Sequence, residues 1–408
     1  MSIETSSNNI KNYLSRNETS AQDKLEFKKC AFNLCSQFLA GPWKNRPIED
    51  FEINEIKGGM SNILFLCELK LNRNQYCQGC PNRVLMRVYF NPQSEEHLVS
   101  ESVIFTLLSE RRLGPKLYGI FNGGRLEEFI PSRPLSCEEL SISSISMKIA
   151  KRVAAIHKLD VPIPKEPHYI MDVLRRWLMQ LKSQGKKSYT LQNQYKESTP
   201  TLLTMDTLEA ELQTLEKCLA KSKSLVTFCH NDLQEGNILL LKQRLSNIRV
   251  ASKDDENFED KEVDEITEGF MNPRLVIIDF EYASYNYRGF DFANHFIEYT
   301  MDYDVKKAPY FCIKSKQFPS DTHMIEFFKA YLKEMNVPLA KSMTEATILL
   351  DETLPFIPVS HLFWGIWGLL QVELSPINFG FLEYGLERLA LYFLHKDKLL
   401  KLLDEELE

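Results

Sequence analysis

The sequence predicts an α+β protein of two lobes, a small β-rich N-terminal lobe followed by a larger, mainly helical C-terminal lobe. Three observations carry this. Between residues 51 and 130, short apolar runs bounded by Gly, Asn and Pro recur around one helical pattern. After Pro134, apolar residues return at helical spacing instead. The chain has 408 residues, whereas single domains cluster near ~100–200.

The elements follow in order. Residues 1–22 are rich in Ser, Asn and Thr, which predicts a flexible tail. The N-terminal lobe is placed at 23–133. It opens with a helix, because Phe27, Ala31, Leu34 and Phe38 recur at helical spacing until Gly41-Pro42. Strands are expected at 51–57, 63–71 and 83–90, with the glycine turn Gly58-Gly59-Met60-Ser61-Asn62 between the first two. A helix over 101–112 stops at Gly114-Pro115, and strands at 116–121 and 124–130 lead to Pro131 and Pro134, read as a hinge. The C-terminal lobe is placed at 134–408. Ile142, Ile145, Ile149, Val153 and Ile156 mark one amphipathic helix, and Leu208, Leu212, Leu215 and Leu219 another. Short strands at 238–241 and 275–278 flank an insert near 242–274, whose run 253–265 is mostly acidic and reads as a solvated, disordered loop.

Composition removes several function classes. A net charge of −7 gives no general attraction to nucleic acid or anionic membrane. The polar N-terminus has no apolar core of a signal peptide. The most apolar stretch, 355–370, falls short of the ~20 residues that span a bilayer and reads as a buried helix. No stable membrane insertion and a cytoplasmic location are therefore expected. Nine cysteines without a framework read as reduced thiols, and Cys77-Gln-Gly-Cys80 lacks the second pair a zinc site wants.

Chemistry concentrates in three places. His230-x-Asp232-x-x-x-x-Asn237 fits the H-x-D-x₄-N loop of phosphoryl-transfer enzymes. Asp232 would accept or orient a hydroxyl proton, and Asn237 offers a neutral oxygen to a hard cation. Ile277-Ile-Asp279-Phe-Glu281 places Asp279 at the end of an apolar strand, where kinases grip the metal between phosphates, with Glu281 as a second carboxylate ligand. The turn at Gly58, Gly59, Met60, Ser61 and Asn62 lets backbone N–H groups approach phosphates, ahead of Arg87 in a strand and Glu101 in a helix. Arg87 suits a phosphate clamp. The pattern predicts a kinase using ATP and Mg²⁺. Without G-x-G-x-x-G, V-A-I-K, D-F-G or A-P-E runs, an ordinary protein kinase is excluded.

With these residues placed, the chain resembles the choline/ethanolamine kinase family from about residue 25 onward, the acidic insert excepted. The resemblance rests on Gly58–Asn62, 113–121, 124–133, HNDLQEGNILL at 230–240, IDFEYASYNYRGFDFANHFIEY at 278–299 and HLFWGIWGLLQ at 361–371. It implies a two-lobed, protein-kinase-like fold of the aminoglycoside-phosphotransferase type. It also implies phospholipid biosynthesis, at the first step toward phosphatidylcholine or phosphatidylethanolamine, and a homodimer. Residue by residue, Asp232 becomes the base and Asn237 and Asp279 lie near metal. Gln234 lies near the nucleotide phosphates, with Glu128, Phe129 and Ile130 along the adenine edge. Glu128 stands where members usually carry Gln.

A quaternary cation has no N–H donors, so recognition needs aromatic faces and a carboxylate. Tyr282, Tyr303, Trp364, Trp367, Phe379 and Tyr384, with Glu298, match the family's choline pocket, and Trp364 and Trp367 share one helix side at i,i+3. The loop Gln234-Glu-Gly-Asn237 and Tyr287-Arg-Gly289 resemble the choline branch. The expectation is a choline kinase making phosphocholine and ADP, with an ethanolamine or dual kinase as the alternative. Asp291 and His295 are expected to brace the catalytic loop, and His157 to be a core-edge histidine. A non-catalytic kinase-fold module acting through the acidic insert is the competing class; intact Asp232 and Asp279 argue against it.

Overall fold

The computed structural model describes residues 3–14, 20–56, 62–72, 79–89, 95–185, 188–191, 195–197, 199–244, 262–264, 274–375 and 377–404. Gly58, Gly59, Met60, Ser61 and Cys77 lie outside the described residues, as does most of the acidic insert. The chain divides into two compact units, Met1–Pro131 and Ser132–Glu408.

The first unit begins with α1 (Ile3–Leu14) and α2 (Ala21–Phe38), followed by a short α3 (Pro42–Asn45). Expected as a flexible tail, residues 3–14 instead form a helix on α2. Ile10 is fully buried, Tyr13 stacks on Phe27 at 4.4 Å, and Asn33 Nδ2 donates to Ser6 Oγ at 2.8 Å. Ser20 then starts α2 with a capping box, its Oγ accepting from the Asp23 N–H while the Asp23 carboxylate accepts from the Ser20 N–H. The sheet comprises β1 (Phe51–Ile56), β2 (Asn62–Leu69), β3 (Arg83–Tyr89), β4 (Leu117–Phe121) and β5 (Gly124–Glu128). Its order is β1-β2-β3-β5-β4, with antiparallel pairs throughout. Phe65, Cys67, Val84 and Met86 turn one sheet face inward with strand periodicity, against Phe27, Ala31 and Leu34 of α2. After β3, α4 (Glu95–Glu110) starts six residues earlier than its predicted span.

The second unit opens with β6 (Ser132–Pro134). Where a hinge was expected, this segment pairs with β10 (Ile238–Arg244), Leu239 facing Pro134. Helices α5 (Ser143–His157) and α6 (Tyr169–Ser183) come next, then the hairpin β7 (Ser188–Thr190) with β8 (Leu202–Thr204), and α7 (Met205–Leu219). β9 (Val226–Cys229) precedes the candidate catalytic loop. β11 (Glu262–Asp264) pairs with Lys242–Arg244 at the end of β10, so the described parts of the expected disordered insert are strand. β12 (Leu275–Ile277) closes the ladder on β10, and β13 (Ser284–Tyr287) pairs with β9. The rest is helical: α8 (Arg288–Glu298), a small β14–β15 ribbon (Met301–Asp302 with Cys312–Ile313), α9 (Asp321–Glu334), α10 (Leu339–Thr353), α11 (Phe356–Leu374) and α12 (Phe381–Asp404).

The apolar run Leu339–Leu374 is long enough to cross a membrane by composition, yet 94% of its most apolar window is buried inside the unit. Its second part, α11, is the buried helix the sequence suggested at 355–370. α11 and α12 cross with their backbones in contact at glycines. A Cβ on Gly385 would stand 2.8 Å from Leu369 N and 2.9 Å from Gly365 O. Replacing Gly385 by Ala is therefore expected to cost about 2 kcal/mol through forced separation of the helices. A lower thermal midpoint, with a weakened substrate response because both helices carry candidate site residues, would be the signature in melting and kinetic assays.

Candidate active site

In the second unit the β10–β12 ladder sets the geometry. Ile238 faces Ile277, and the Ile278 N–H donates to Asn237 O at 2.9 Å, so Asp279 emerges beside the catalytic loop. Two non-glycine residues here adopt the left-handed region, Asn231 and Asp279, each with φ near 66°. Asn and Asp tolerate that region best, and such strain persists only where surrounding contacts impose it. For Asn231 the contacts are explicit. Its amide donates to Tyr282 O at 2.8 Å and Ser284 Oγ at 2.9 Å, and its carbonyl accepts from Asn286 Nδ2 at 2.8 Å.

Asp291 anchors the loop from α8. Its carboxylate accepts from His230 N at 3.0 Å and Asn231 N at 2.8 Å, and also pairs with His157 Nε2 at 2.9 Å. His157 Nδ1 lies 3.1 Å from the Tyr331 hydroxyl, so this histidine is a member of the network rather than a core-edge residue. Burial works to raise the Asp291 pKa, but His157 and the loop N–H groups reverse it and hold it below the usual carboxylate range. Cys229 lies in the same buried cluster, close enough for a metal-ligand set. The Asp291 oxygens are already committed to N–H donors, however, so the cluster is a hydrogen-bonded hub. His230 is pushed toward its neutral form by burial. Its Nε2–H donates to Ile278 O at 2.9 Å and its Nδ1 accepts from Asp232 N at 3.3 Å, which ties the loop to the strand before Asp279. His295 Nδ1 donates to Leu233 O at 3.0 Å, and burial lowers its pKa to about 4, so it braces the loop as a neutral donor.

Asn237 Nδ2 donates at 2.9 Å to both Asp232 O and Asp232 Oδ2. With its N–H pair spent this way, the amide keeps its oxygen as the end a hard cation would take. Burial, then the carboxylates of Glu298, Glu281 and Asp279, push the Asp232 pKa well above the usual carboxylate range. These four carboxylates therefore share one electrostatic neighbourhood. Oxygen donors only, with an excess of negative charge, fit a divalent cation held by Asn237, Asp279 and Glu281. Gln234 contributes its backbone, its N–H donating to Asp232 O at 3.0 Å.

The expected aromatic residues form one contiguous group. Tyr282 meets Trp364 edge-on at 5.2 Å, Trp364 meets Trp367 at 5.4 Å, and Trp367 meets Tyr384 at 6.2 Å. Tyr303 and Phe379 complete it, 6.4 Å and 5.9 Å from Tyr384. Both indole N–H groups are satisfied, Trp364 by Asn294 Oδ1 at 2.7 Å and Trp367 by the Tyr282 hydroxyl at 3.0 Å. Glu298 is buried on α8, and the Asp232 charge acts on Tyr282 and Tyr384. Sequence reading missed Asn294, Arg388 and Glu235. Arg388 is fully buried with Nη1 3.5 Å from Glu298 Oε1. Glu235 sits inside the catalytic loop, and no hydrogen-bond partner meets its Oε2 among the described residues.

The first unit holds the remaining candidates. Arg87 on β3 faces Arg125 on β5, and the Glu127 carboxylate lies between them, 3.6 Å from Arg87 Nε and 2.7 Å from Arg125 Nε. Glu101 on α4 pairs with Arg125, which the sequence reading did not single out. The signal was present as Arg125 and Glu127 at i,i+2, on one face of a strand. The Glu128 carboxylate accepts from the Lys116 N–H at 3.1 Å, and Phe129 lies 4.8 Å beneath the Arg83 guanidinium. Asn62 belongs to β2, where it faces Tyr89.

Comparison with known proteins agrees with this geometry. The family model described as Choline/ethanolamine kinase matches residues 53–393. The chain is 54% identical to choline kinase A2 of Caenorhabditis elegans, over 94% of this chain and 89% of that one. It is 37% identical to the choline/ethanolamine kinase of Mus musculus, over 90% and 86%. The fold matches that of the Plasmodium vivax ethanolamine kinase with a TM-score of 0.70, at 22% identity and over 98% of this chain and 97% of that one. The expected two-lobed kinase-like fold is therefore present, and the chain belongs to the choline/ethanolamine kinase family.

Proposed function

We infer that this chain is an ATP-dependent choline kinase, transferring the γ-phosphoryl group of ATP to the choline hydroxyl to give phosphocholine and ADP. The observation that carries the reading is the contiguous set of aromatic faces, with Glu298 behind it, inside the electrostatic reach of Asp232. Tyr282, Tyr303, Trp364, Trp367, Phe379 and Tyr384 would hold the trimethylammonium group by cation–π attraction. Its hydroxyl would then turn toward Asp232, which accepts or orients the proton as the phosphoryl group arrives. Burial and the neighbouring carboxylates shift the balance of Asp232 toward its protonated form. The positive charges of substrate and divalent cation oppose that preference and return it to the base form.

A kinase that uses ATP works with a divalent cation. We assign Mg²⁺ to Asn237, Asp279 and Glu281; when bound it neutralises phosphate charge. Gln234, Arg87, Glu101, the glycine turn and the segment Glu128–Phe129–Ile130 are assigned to the nucleotide. Arg87 and Arg125 supply two buried guanidiniums on neighbouring strands, and Glu101 and Glu127 fix them. The family resemblance further supports a homodimer and a cytoplasmic location, the former tested by light scattering during size exclusion.

A second reading, ethanolamine as an alternative substrate, is favoured by one detail. Glu298 is a buried carboxylate flanked by the Arg388 guanidinium and the Tyr303 hydroxyl, and a primary ammonium would add N–H donors to it. The deciding measurement is kcat/KM for the two alcohols under the same Mg-ATP concentration. A ratio in favour of choline of about 10-fold or more is expected, since displacing aromatic contact by ~1.4 kcal/mol accounts for that factor. No turnover of either alcohol would sink the assignment.

A further inference from the structure

The side chain of Arg388 on α12 has no exposure at all, and its contacts are the walls of the proposed cation cage. Nη1 donates to the Tyr384 hydroxyl at 3.0 Å and lies 3.5 Å from Glu298 Oε1. Nη2 donates to Ser360 O at 3.1 Å and Ser360 Oγ at 3.0 Å. The Ser360 hydroxyl in turn donates to Asn294 Oδ1 at 2.8 Å, the same oxygen that accepts from Trp364 Nε1–H at 2.7 Å. One guanidinium thus reaches Glu298 and Tyr384 directly and Trp364 through two relays.

A buried guanidinium needs a counter-charge, and among the described residues Arg388 finds it in Glu298. Glu298 is therefore part-neutralised before any substrate arrives. A bare buried carboxylate would reward small ammonium groups that approach it with N–H donors. A compensated one leaves more of the selection to the aromatic faces, which reward a bulky quaternary cation. We propose that Arg388 is a positioning and specificity-determining residue, holding Glu298, Tyr384 and Trp364 in place and tilting the cage from primary toward quaternary ammonium substrates. The inference rests on the cage reading above.

A double-mutant cycle separates the two. Glu298→Gln alone leaves Arg388 as an unpaired positive charge in a site meant for a cation, so KM for choline should rise about 100-fold while kcat moves little. Adding Arg388→Met removes that charge, so the double variant should recover about 10-fold of the lost KM rather than lose more. Arg388→Lys, which keeps the charge but not the bidentate hold on Ser360, should fall between wild type and Arg388→Met in its kcat/KM ratio for choline over ethanolamine. If Glu298→Gln leaves KM for choline unchanged, the cage reading itself fails. If Glu298→Gln raises KM and Arg388→Met worsens it additively, Arg388 is only a scaffold residue and the inference is overturned. Should Arg388→Met alone not fold, the comparison of Glu298→Gln with the double variant and the Arg388→Lys ratio still decide.

Discussion

Replacing Asp232 by Asn is expected to lower kcat for choline phosphorylation by about 10³-fold, the range a positioned general base contributes. The amide keeps the shape of the side chain and its contact with Asn237, which now lies 2.9 Å from Asp232 Oδ2, but it cannot take the hydroxyl proton. A purely structural loss would also lower stability, and here the opposite is expected. The folded pKa of Asp232 is raised, so the folded state binds more protons than the unfolded state from the ordinary carboxylate pKa up to the folded one. Stability from this group accordingly falls as pH rises through that window, so above the ordinary carboxylate pKa the buried side chain is a burden on the substrate-free protein. Asp232→Asn removes the burden, and the metal-free, substrate-free variant should melt about 1–2 °C higher at neutral pH. Steady-state kinetics and calorimetry in the presence of a chelator check the two halves. Retained turnover would remove Asp232 from the chemistry, and a lower melting temperature would mean that its role is packing.

The legible parts of the molecule were those in which chemistry is local in sequence. His230, Asp232 and Asn237 lie within one loop, and Asp279 and Glu281 lie at one strand end, so spacing alone juxtaposes them on a β10–β12 ladder. The aromatic residues were legible only through the family's pattern, because α11, α12 and the segments around Tyr282, Tyr303 and Phe379 bring them together from positions far apart. Arg388 escaped for the same reason. A lone arginine in a helix of mixed composition reads as solvated surface until the helix crossing at Gly365, Gly368 and Gly385 is known. The helix Ile3–Leu14 was read as a tail because its composition is polar. Its signal was Ile3, Ile10 and Leu14 spaced by seven and four, a narrow apolar stripe diluted by serines and asparagines. Ser6 and Ser7 are nonetheless buried, their hydroxyls bonded to Asn33 and Ile3 O.

The second large effect is expected at Asp291, which never needs to touch a substrate. Its carboxylate is buried and accepts from the His230 and Asn231 N–H groups, and it pairs with His157. Asp291→Ala would leave two backbone donors and an imidazole without an acceptor in a dry interior, at a cost of about 3–5 kcal/mol. It would also release Asn231 from its left-handed conformation, and the aim of Asp232 depends on that turn. Asp291→Asn is the sharper test, since it keeps one carbonyl oxygen and loses only the charge and one acceptor. It should fold, with a lower melting temperature and a kcat reduced by about 10–100-fold for a misplacement of the base on the order of 1 Å, while the KM for choline stays near its original value because α11 and α12 are untouched. The pH dependence gives an independent sign. The folded pKa of Asp291 is depressed, so its stabilisation is fully present above the ordinary carboxylate pKa and is lost as pH falls through the folded value. The stability gap between wild type and Asp291→Asn should therefore be constant near neutrality and close below about pH 4. A gap independent of pH down to the acid limit would show that the ionised carboxylate is not what holds the loop, and that the side-chain shape alone suffices.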